Sequence, residues 1–156
     1  MNGTEHAQMH SMVTFLIDEQ EYGMRTEAIR SIIPVGNVTY VPGAPASVAG
    51  VINLRGDIIP VVELEGTRAR DLSDENEGLA LVVEVPDEAE HIAVALVVDE
   101  VTHVDRADFA KLEDTDELMV ARDRAAAVIG VLSREEGPLL ILEPTGLLPE
   151  EEEVGA

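Results

Sequence analysis

The sequence predicts an all-β protein of two similar five-stranded β-barrel subdomains with a few short helices, and three observations support that prediction. Its apolar runs are short, and most are bounded by Pro, Gly, Asn or Asp, as strands between turns are. The runs are rich in Val and Ile, which favour strands. The chain also aligns with itself, without a gap, at a shift of about 80 residues. Closure as small barrels would hide the edges of such sheets.

The predicted strands follow one another from Met12 to Leu142, with polar or Pro/Gly-rich turns between them. They cover residues 12–17, 22–24, 28–35, 38–41, 51–54, 58–64, 79–85, 92–98, 101–106, 125–132 and 139–142. Residues 65–78 are predicted to be a polar loop, and 107–124 favour neither helix nor strand.

An internal sequence repeat predicts the domain organisation. Residues 49–52 align with 129–132, and 60–63 with 140–143. Each copy is a Gly-Val strand, a turn and an apolar strand that ends in glutamate, although chance is the alternative for two Val-rich hairpins. We expect one domain over 11–150 with subdomains in roughly 20–80 and 81–150, where strands at the ends can exchange. Residues 1–10 are expected to be a flexible tail and 150–156 an acidic tail.

Composition excludes several classes of protein. The 46% hydrophobic fraction of the 156 residues argues against disorder, and the absence of cysteine removes disulfides and thiolate catalysis. No apolar run approaches the roughly 18 residues that span a bilayer, and no secretion signal precedes Met12. We therefore expect a cytoplasmic protein without membrane insertion.

The net charge of −22, from 32 Asp and Glu against ten Lys and Arg, predicts a salt-adapted surface. The carboxylates are spread from end to end, and molar salt shortens the Debye length to about 3 Å, so that like charges scarcely repel. A halophilic source is our interpretation. Nucleic-acid binding is disfavoured because it requires Lys and Arg that this surface lacks.

A predicted hairpin between Pro42 and Leu64 carries the strongest candidate binding residue. Pro42, Gly43 and Pro45 exclude helix and stiffen the entry to the first strand. Arg55 then stands in an Arg-Gly-Asp tip between two apolar strands. Because cations are scarce in this chain, Arg55 is predicted to contact a partner. The alternative is that its guanidinium caps turn carbonyls or forms a solvated bridge to Asp57 worth about 0–1 kcal/mol.

With its neighbouring segments, this hairpin resembles the CheW family of chemotaxis coupling proteins. The matching segments are Glu21-Tyr22-Gly23, Pro42 to Pro45, Gly50 to Gly56 and Ile59 to Leu64. Residues 97–101, 129–131 and 139–142 are similar to the family's later strands, so that the resemblance covers about 12–148.

The resemblance implies two intertwined five-stranded barrels and a non-enzymatic adaptor without cofactor or metal. Such adaptors join the cytoplasmic helical tip of chemoreceptors, held in a groove between the subdomains, to the regulatory domain of the histidine kinase CheA, and they meet other CheW copies in arrays. Matching positions assign binding to Arg55, Ile29 and Gly50, and Asn53 of the signature strand is added to them.

Departures from the family pattern put part of this assignment in doubt. Ser31 stands where relatives often carry glutamate, Glu65 where arginine is common and Ala95 where glycine is common. Acidic residues replace a proline-rich loop near 111–117. The salt-adapted surface can account for the first and the last of these.

Alternatives stay open for the other three site residues as well. Gly50 can permit a bulge or close packing, Ile29 can be core, and Asn53 can bond its own backbone.

Rival functions have weaker support in the sequence. A regulatory module of a kinase, or a fusion with a receiver domain of the CheV type, would share the signature, although Met1 and the acidic tail favour a free-standing protein. A small β-barrel hydrolase would need Asp99, His103 and Glu84 in one cleft. His6 and His10 lack a third metal ligand, and residues 71–78 do not fit a calcium loop.

Overall fold

The computed structural model describes residues 8–64, 78–87, 90–113 and 127–147, and within these ranges it contains ten strands and three short 3₁₀ turns. The strands are β1 (Met9–Ile17), β2 (Gln20–Arg25), β3 (Ile29–Pro34), β4 (Val48–Leu54), β5 (Asp57–Val62), β6 (Leu79–Asp87), β7 (Glu90–Val98), β8 (Glu100–Asp108), β9 (Val128–Leu132) and β10 (Leu139–Leu142). The 3₁₀ turns are Thr26–Ala28, Phe109–Lys111 and Pro144–Leu147.

The strands form two five-stranded sheets, which confirms the predicted all-β class. Sheet I has the order β8-β1-β2-β10-β9, and sheet II the order β3-β6-β7-β5-β4. Four antiparallel hairpins, β1–β2, β4–β5, β6–β7 and β9–β10, are joined by antiparallel pairs of β1 with β8 and β3 with β6. Two pairs are parallel, β10 with β2 and β5 with β7.

The two halves of the chain exchange strands reciprocally. The first half places β1 and β2 in sheet I and β3 to β5 in sheet II, while the second half places β6 and β7 in sheet II and β8 to β10 in sheet I. Neither sheet therefore corresponds to 20–80 or to 81–150, the ranges predicted for the subdomains. The internal sequence repeat identified the repeated hairpins, but the pairing partner of each hairpin is set by contacts with the other half of the chain.

The repeated hairpins, β4–β5 and β9–β10, carry glycines at equivalent positions. Val51 exchanges backbone hydrogen bonds with Thr39, and Val131 does the same with Glu113. A Cβ atom on Gly50 would overlap the Thr39 carbonyl oxygen, and one on Gly130 would lie 2.9 Å from the Glu113 oxygen. Each glycine thus lets a neighbouring segment close over the outer edge of its hairpin.

One apolar core lies between the two sheets and joins them. Sheet I contributes Val13, Phe15, Tyr22 and Met24 among others, and sheet II contributes Leu81, Val83, Leu96 and Val98. The alternate residues of β6 and β7, such as Val82 and Ala95, enter a second core on the other face of sheet II. Burial on both faces explains why these two strands are continuously apolar.

Several predicted elements differ from the observed ones. β1 begins at Met9 and includes His10, which the sequence assigned to a tail, because Asp108 accepts the Gln8 N–H at 2.8 Å and extends the pairing with β8. Residues 38–41 are not a strand, since only Thr39 forms a bridge there. The tails within 1–7 and 148–156, Glu65, and residues 71–77 and 114–117 lie outside the described residues. In the described ranges, no helix has the length and apolar character required to cross a membrane.

Candidate protein-binding surface

The β4–β5 hairpin presents Arg55 at a two-residue turn. Leu54 and Asp57 close the hairpin, and Arg55 and Gly56 have φ of 55° and 93°. Positive φ at both central residues is typical of a type I′ turn, whose twist matches that of the flanking strands. The turn therefore fixes the backbone from which the arginine side chain extends.

Arg55 is exposed, and within the described part of the chain its side chain has no ion pair or hydrogen bond. The bridge to Asp57 that was the alternative prediction is not formed. Five other basic side chains pair with carboxylates or line a polar cleft: Arg25, Arg30, Arg106, Lys111 and Arg134. Among the described residues, none takes up the donor groups of the Arg55 side chain.

Asn53 and Gly50 have local structural roles in the same hairpin. The Asn53 side-chain oxygen accepts the Gly56 N–H at 2.9 Å, which supports the turn beneath Arg55. Gly50 stands at a register shift after Val48 and is buried against Thr39. The alternatives predicted for these two residues are confirmed, and a binding role for either stays a prediction.

Ile29 lies on the opposite edge strand of sheet II. It is the first residue of β3, is half-buried against the core between the sheets, and pairs with Val83 of β6. Successive cross-strand pairs connect the two edges of sheet II, from Gly50 on β4 through Val61, Ala95 and Val82 to Ser31 on β3. The structure therefore groups Arg55, Asn53 and Gly50 on one hairpin and places Ile29 at the other end of the sheet order.

Exposed apolar side chains near these residues were missed in the sequence. Ile58 pairs with Asn53 beside the tip and is 62% exposed. Ile32, on the same strand as Ile29, is 46% exposed, and it pairs with the buried Leu81. Apolar runs do not reveal which strand is an edge, so the sequence carried no signal that separates these residues from core ones.

A cluster of hydrogen-bonded polar side chains lies in sheet I. Glu21 accepts hydrogen bonds from Arg134 at 2.8 Å and from Thr102 at 2.9 Å, and Thr102 also contacts Thr14. Burial raises the pKa of Glu21, but the hydrogen bonds from Arg134 and Thr102 and the charge of Arg134 outweigh it, so the pKa is lowered. The cluster joins strands from both halves of the chain.

The residues of the rival hydrolase hypothesis have other neighbours. Glu84 pairs with Arg30 and His91 in sheet II, whereas His103 belongs to β8 of sheet I. The Asp99 carboxylate accepts the Asp18 N–H at 2.8 Å. In the described ranges no group of three or more His, Asp or Glu could hold a metal ion.

These features define a protein-binding module: two sheets that exchange strands, an exposed arginine on a rigid turn, and exposed apolar side chains beside that turn and on β3. The chain belongs to the CheW-like family: the family model of the CheW-like domain matches residues 11–152. Members of this family are chemotaxis scaffold and adaptor proteins.

Individual relatives agree with this placement over nearly the whole chain. The chemotaxis protein CheW of Rhizobium meliloti is 27% identical over 145 residues, which are 93% of this chain and 91% of the relative. That of Bacillus subtilis is 27% identical over 143 residues, or 90% and 87%. The crystal structure of the scaffolding protein TtCheW from Thermoanaerobacter tengcongensis matches with a TM-score of 0.71 and 25% identity over 87% of this chain and 90% of that one.

Proposed function

We propose that this protein couples chemoreceptors to the histidine kinase CheA in signalling arrays, without catalysis, at the cytoplasmic side of the receptors. The observation that carries the proposal is Arg55, an exposed cation at a rigid tip that has no side-chain partner among the described residues, on a chain of net charge −22. Family membership and the near full-length relatives support the same role.

The conformation of Arg55 supports a binding role for its side chain. A non-glycine residue in the left-handed region costs about 1–2 kcal/mol, and Asn-Gly is the favoured pair in this turn type. Arg55 offers the turn no compensating contact among the described residues. Backbone strain that no local contact offsets is typical of functional sites.

We assign the hairpin tip to contact with the kinase regulatory domain or with other CheW copies. Arg55 and Ile58 together form a cation beside an exposed apolar side chain, the combination that dominates protein interfaces. In molar salt the long-range attraction of Arg55 is screened, so its contribution is the geometry of several directed hydrogen bonds.

We assign the β3 edge to the receptor helices. Ile29 and Ile32 pair with Val83 and Leu81 of the core between the sheets, and residues that are opposite in an antiparallel pair point to the same face. Their side chains therefore extend that core toward solvent, where the apolar face of an amphipathic helix can pack. Ser31 supplies no charge at this edge, which leaves apolar contact as the source of affinity.

Sedimentation of the protein with receptor fragments and CheA in molar KCl tests both assignments. Arg55→Ala should weaken kinase binding about tenfold or more, and Arg55→Lys should not restore it, because lysine lacks the planar set of donors. Lys111→Ala removes one exposed positive charge elsewhere and is the matched control. Kinase binding unchanged by Arg55→Ala would remove that residue from the proposal.

The receptor assignment has its own variant. Ile32→Asp should reduce sedimentation with the receptor fragment while kinase binding persists. Tyr40→Asp, at a side chain that is 72% exposed in the loop before β4, is the control. An equal effect of the two variants would contradict a specific role for the β3 edge.

A further inference from the structure

β8 is a nine-residue strand at the end of sheet I, and within the described residues it pairs only with β1. Other sheet ends are shorter or covered. β4 is bridged by Thr39 and β9 by Glu113, while β3 has six residues and ends at Pro34. A long unpaired edge can pair with a strand of another chain.

The backbone N–H and C=O groups of Val104 point away from β1. The Phe109 N–H donates to the Gln8 oxygen at 2.9 Å, just beyond the pair of Met9 with Asp108. Because backbone groups alternate in direction along an antiparallel strand, Asp105 and Ala107 face β1, and Val104 and Arg106 face away from it. The N–H and C=O of Val104 are therefore available on the open edge.

Side chains on either side of Val104 complement each other in an antiparallel pair of two β8 strands. With Val104 on the two-fold axis, His103 of one copy lies opposite Asp105 of the other, on the regular side of the register shift at Thr102. A ring N–H of His103 can donate to the Asp105 carboxylate in either protonation state. Val104, which is 70% exposed, would then pack against its own counterpart.

We propose that two copies of this chain associate by antiparallel pairing of their β8 strands about Val104. The opposing terms are the net charge of −22 on each copy and the like-charged pair of Glu100 with Asp108 at each end of the contact. Salt at molar concentration screens both, whereas main-chain hydrogen bonds and the Val104 contact persist. The dimer is therefore a high-salt species.

A single introduced cysteine tests the register, because the natural chain contains none. In a narrow antiparallel pair the Cα atoms are about 5.5 Å apart, which a disulfide can bridge. Under mild oxidation in about 2 M KCl, Val104→Cys should form a covalent dimer at least tenfold faster than Tyr40→Cys, whose position is similarly exposed in the loop before β4. Equal rates would overturn the proposal.

Sedimentation equilibrium in the same salt tests the proposed side-chain contacts across the two-fold axis. Val104→Asp and His103→Asp should each weaken dimerisation about tenfold or more, because the first replaces an apolar contact by two carboxylates and the second removes the donor to Asp105 and leaves two acceptors in contact. The double variant His103→Asp with Asp105→His should restore it, since the pair is only reversed. A monomer at all accessible concentrations, or a dimer that Val104→Asp leaves intact, would contradict pairing through β8.

Discussion

The Arg134 side chain donates a hydrogen bond from Nη2 to Oε1 of Glu21 at 2.8 Å, and this contact joins the turn after β9 to the second residue of β2. Arg134 also donates from Nε to the Gly137 oxygen, so the same guanidinium shapes its own turn. The pair thus links two strands that are more than 100 residues apart and meet only because the halves of the chain exchange strands.

Arg134→Ala should lower the free energy of unfolding by about 1–2 kcal/mol, because it leaves a half-buried carboxylate without its charged donor. The side chains of Arg134 and Glu21 are 24% and 21% exposed. Arg30→Ala breaks the more exposed pair with Glu84 and should cost less than about 1 kcal/mol. Urea titration in constant salt measures both, and equal losses would mean that burial does not strengthen the Arg134 pair.

Glu21 should make stability depend on pH below about 4.5. Burial raises its folded pKa, but the hydrogen bonds from Arg134 and Thr102 outweigh burial, so that the pKa lies below its ordinary value of 4.5. Its stabilising contribution is therefore present above the unfolded pKa and is lost as the pH falls through the folded pKa. The stability difference between the natural protein and Glu21→Gln should shrink as the pH falls through this range. A constant difference would contradict the assignment.

Gly50→Ala should destabilise the fold by about 2–3 kcal/mol, since its Cβ would overlap a backbone oxygen that cannot move without breaking the bridge from Thr39 to Val51. Gly130→Ala should behave similarly, because its Cβ would meet Leu112 and the Glu113 oxygen. Gly78→Ala is the matched control: its nearest contact, to Val35, is an ordinary 3.5 Å. Thermal melts that rank Gly78→Ala with the other two would contradict the edge-closing role.

Arg55→Asn should separate folding from binding. Asparagine tolerates the left-handed region better than arginine does, so the variant should be as stable as the natural protein or more stable by about 0.5–1 kcal/mol. Kinase binding should nevertheless fall as it does for Arg55→Ala. A loss of stability would indicate a structural role for the arginine, and retained binding would remove Arg55 from the interface.

The sequence predicted the fold class and the tip of the hairpin because both depend on local chemistry. Short Val- and Ile-rich runs specify strands, and Arg55-Gly56 between two of them specifies a tight turn. Strand exchange depends on which sheet each hairpin joins, and that choice is made by the core between Phe15 and Leu96, far apart in the chain. Likewise, the difference between the exposed Ile58 and the buried Ile59 follows from the position of the hairpin tip rather than from residue type.

Salt should control the stability of the whole fold. The 32 acidic residues greatly exceed the ten Lys and Arg, and some of the described ion pairs are exposed, such as Arg30 with Glu84 at 3.3 Å. Repulsion between carboxylates is therefore opposed mainly by salt screening. The Debye length is about 3 Å at 1 M salt and about 10 Å at 0.1 M, so the repulsion acts over longer distances at low salt. We expect the melting temperature to rise steadily with KCl and the fold to loosen below about 0.1 M, as measured by circular dichroism. A variant with several exposed glutamates replaced by glutamine should need less salt. An unchanged spectrum after dialysis to low salt would contradict a salt-adapted surface.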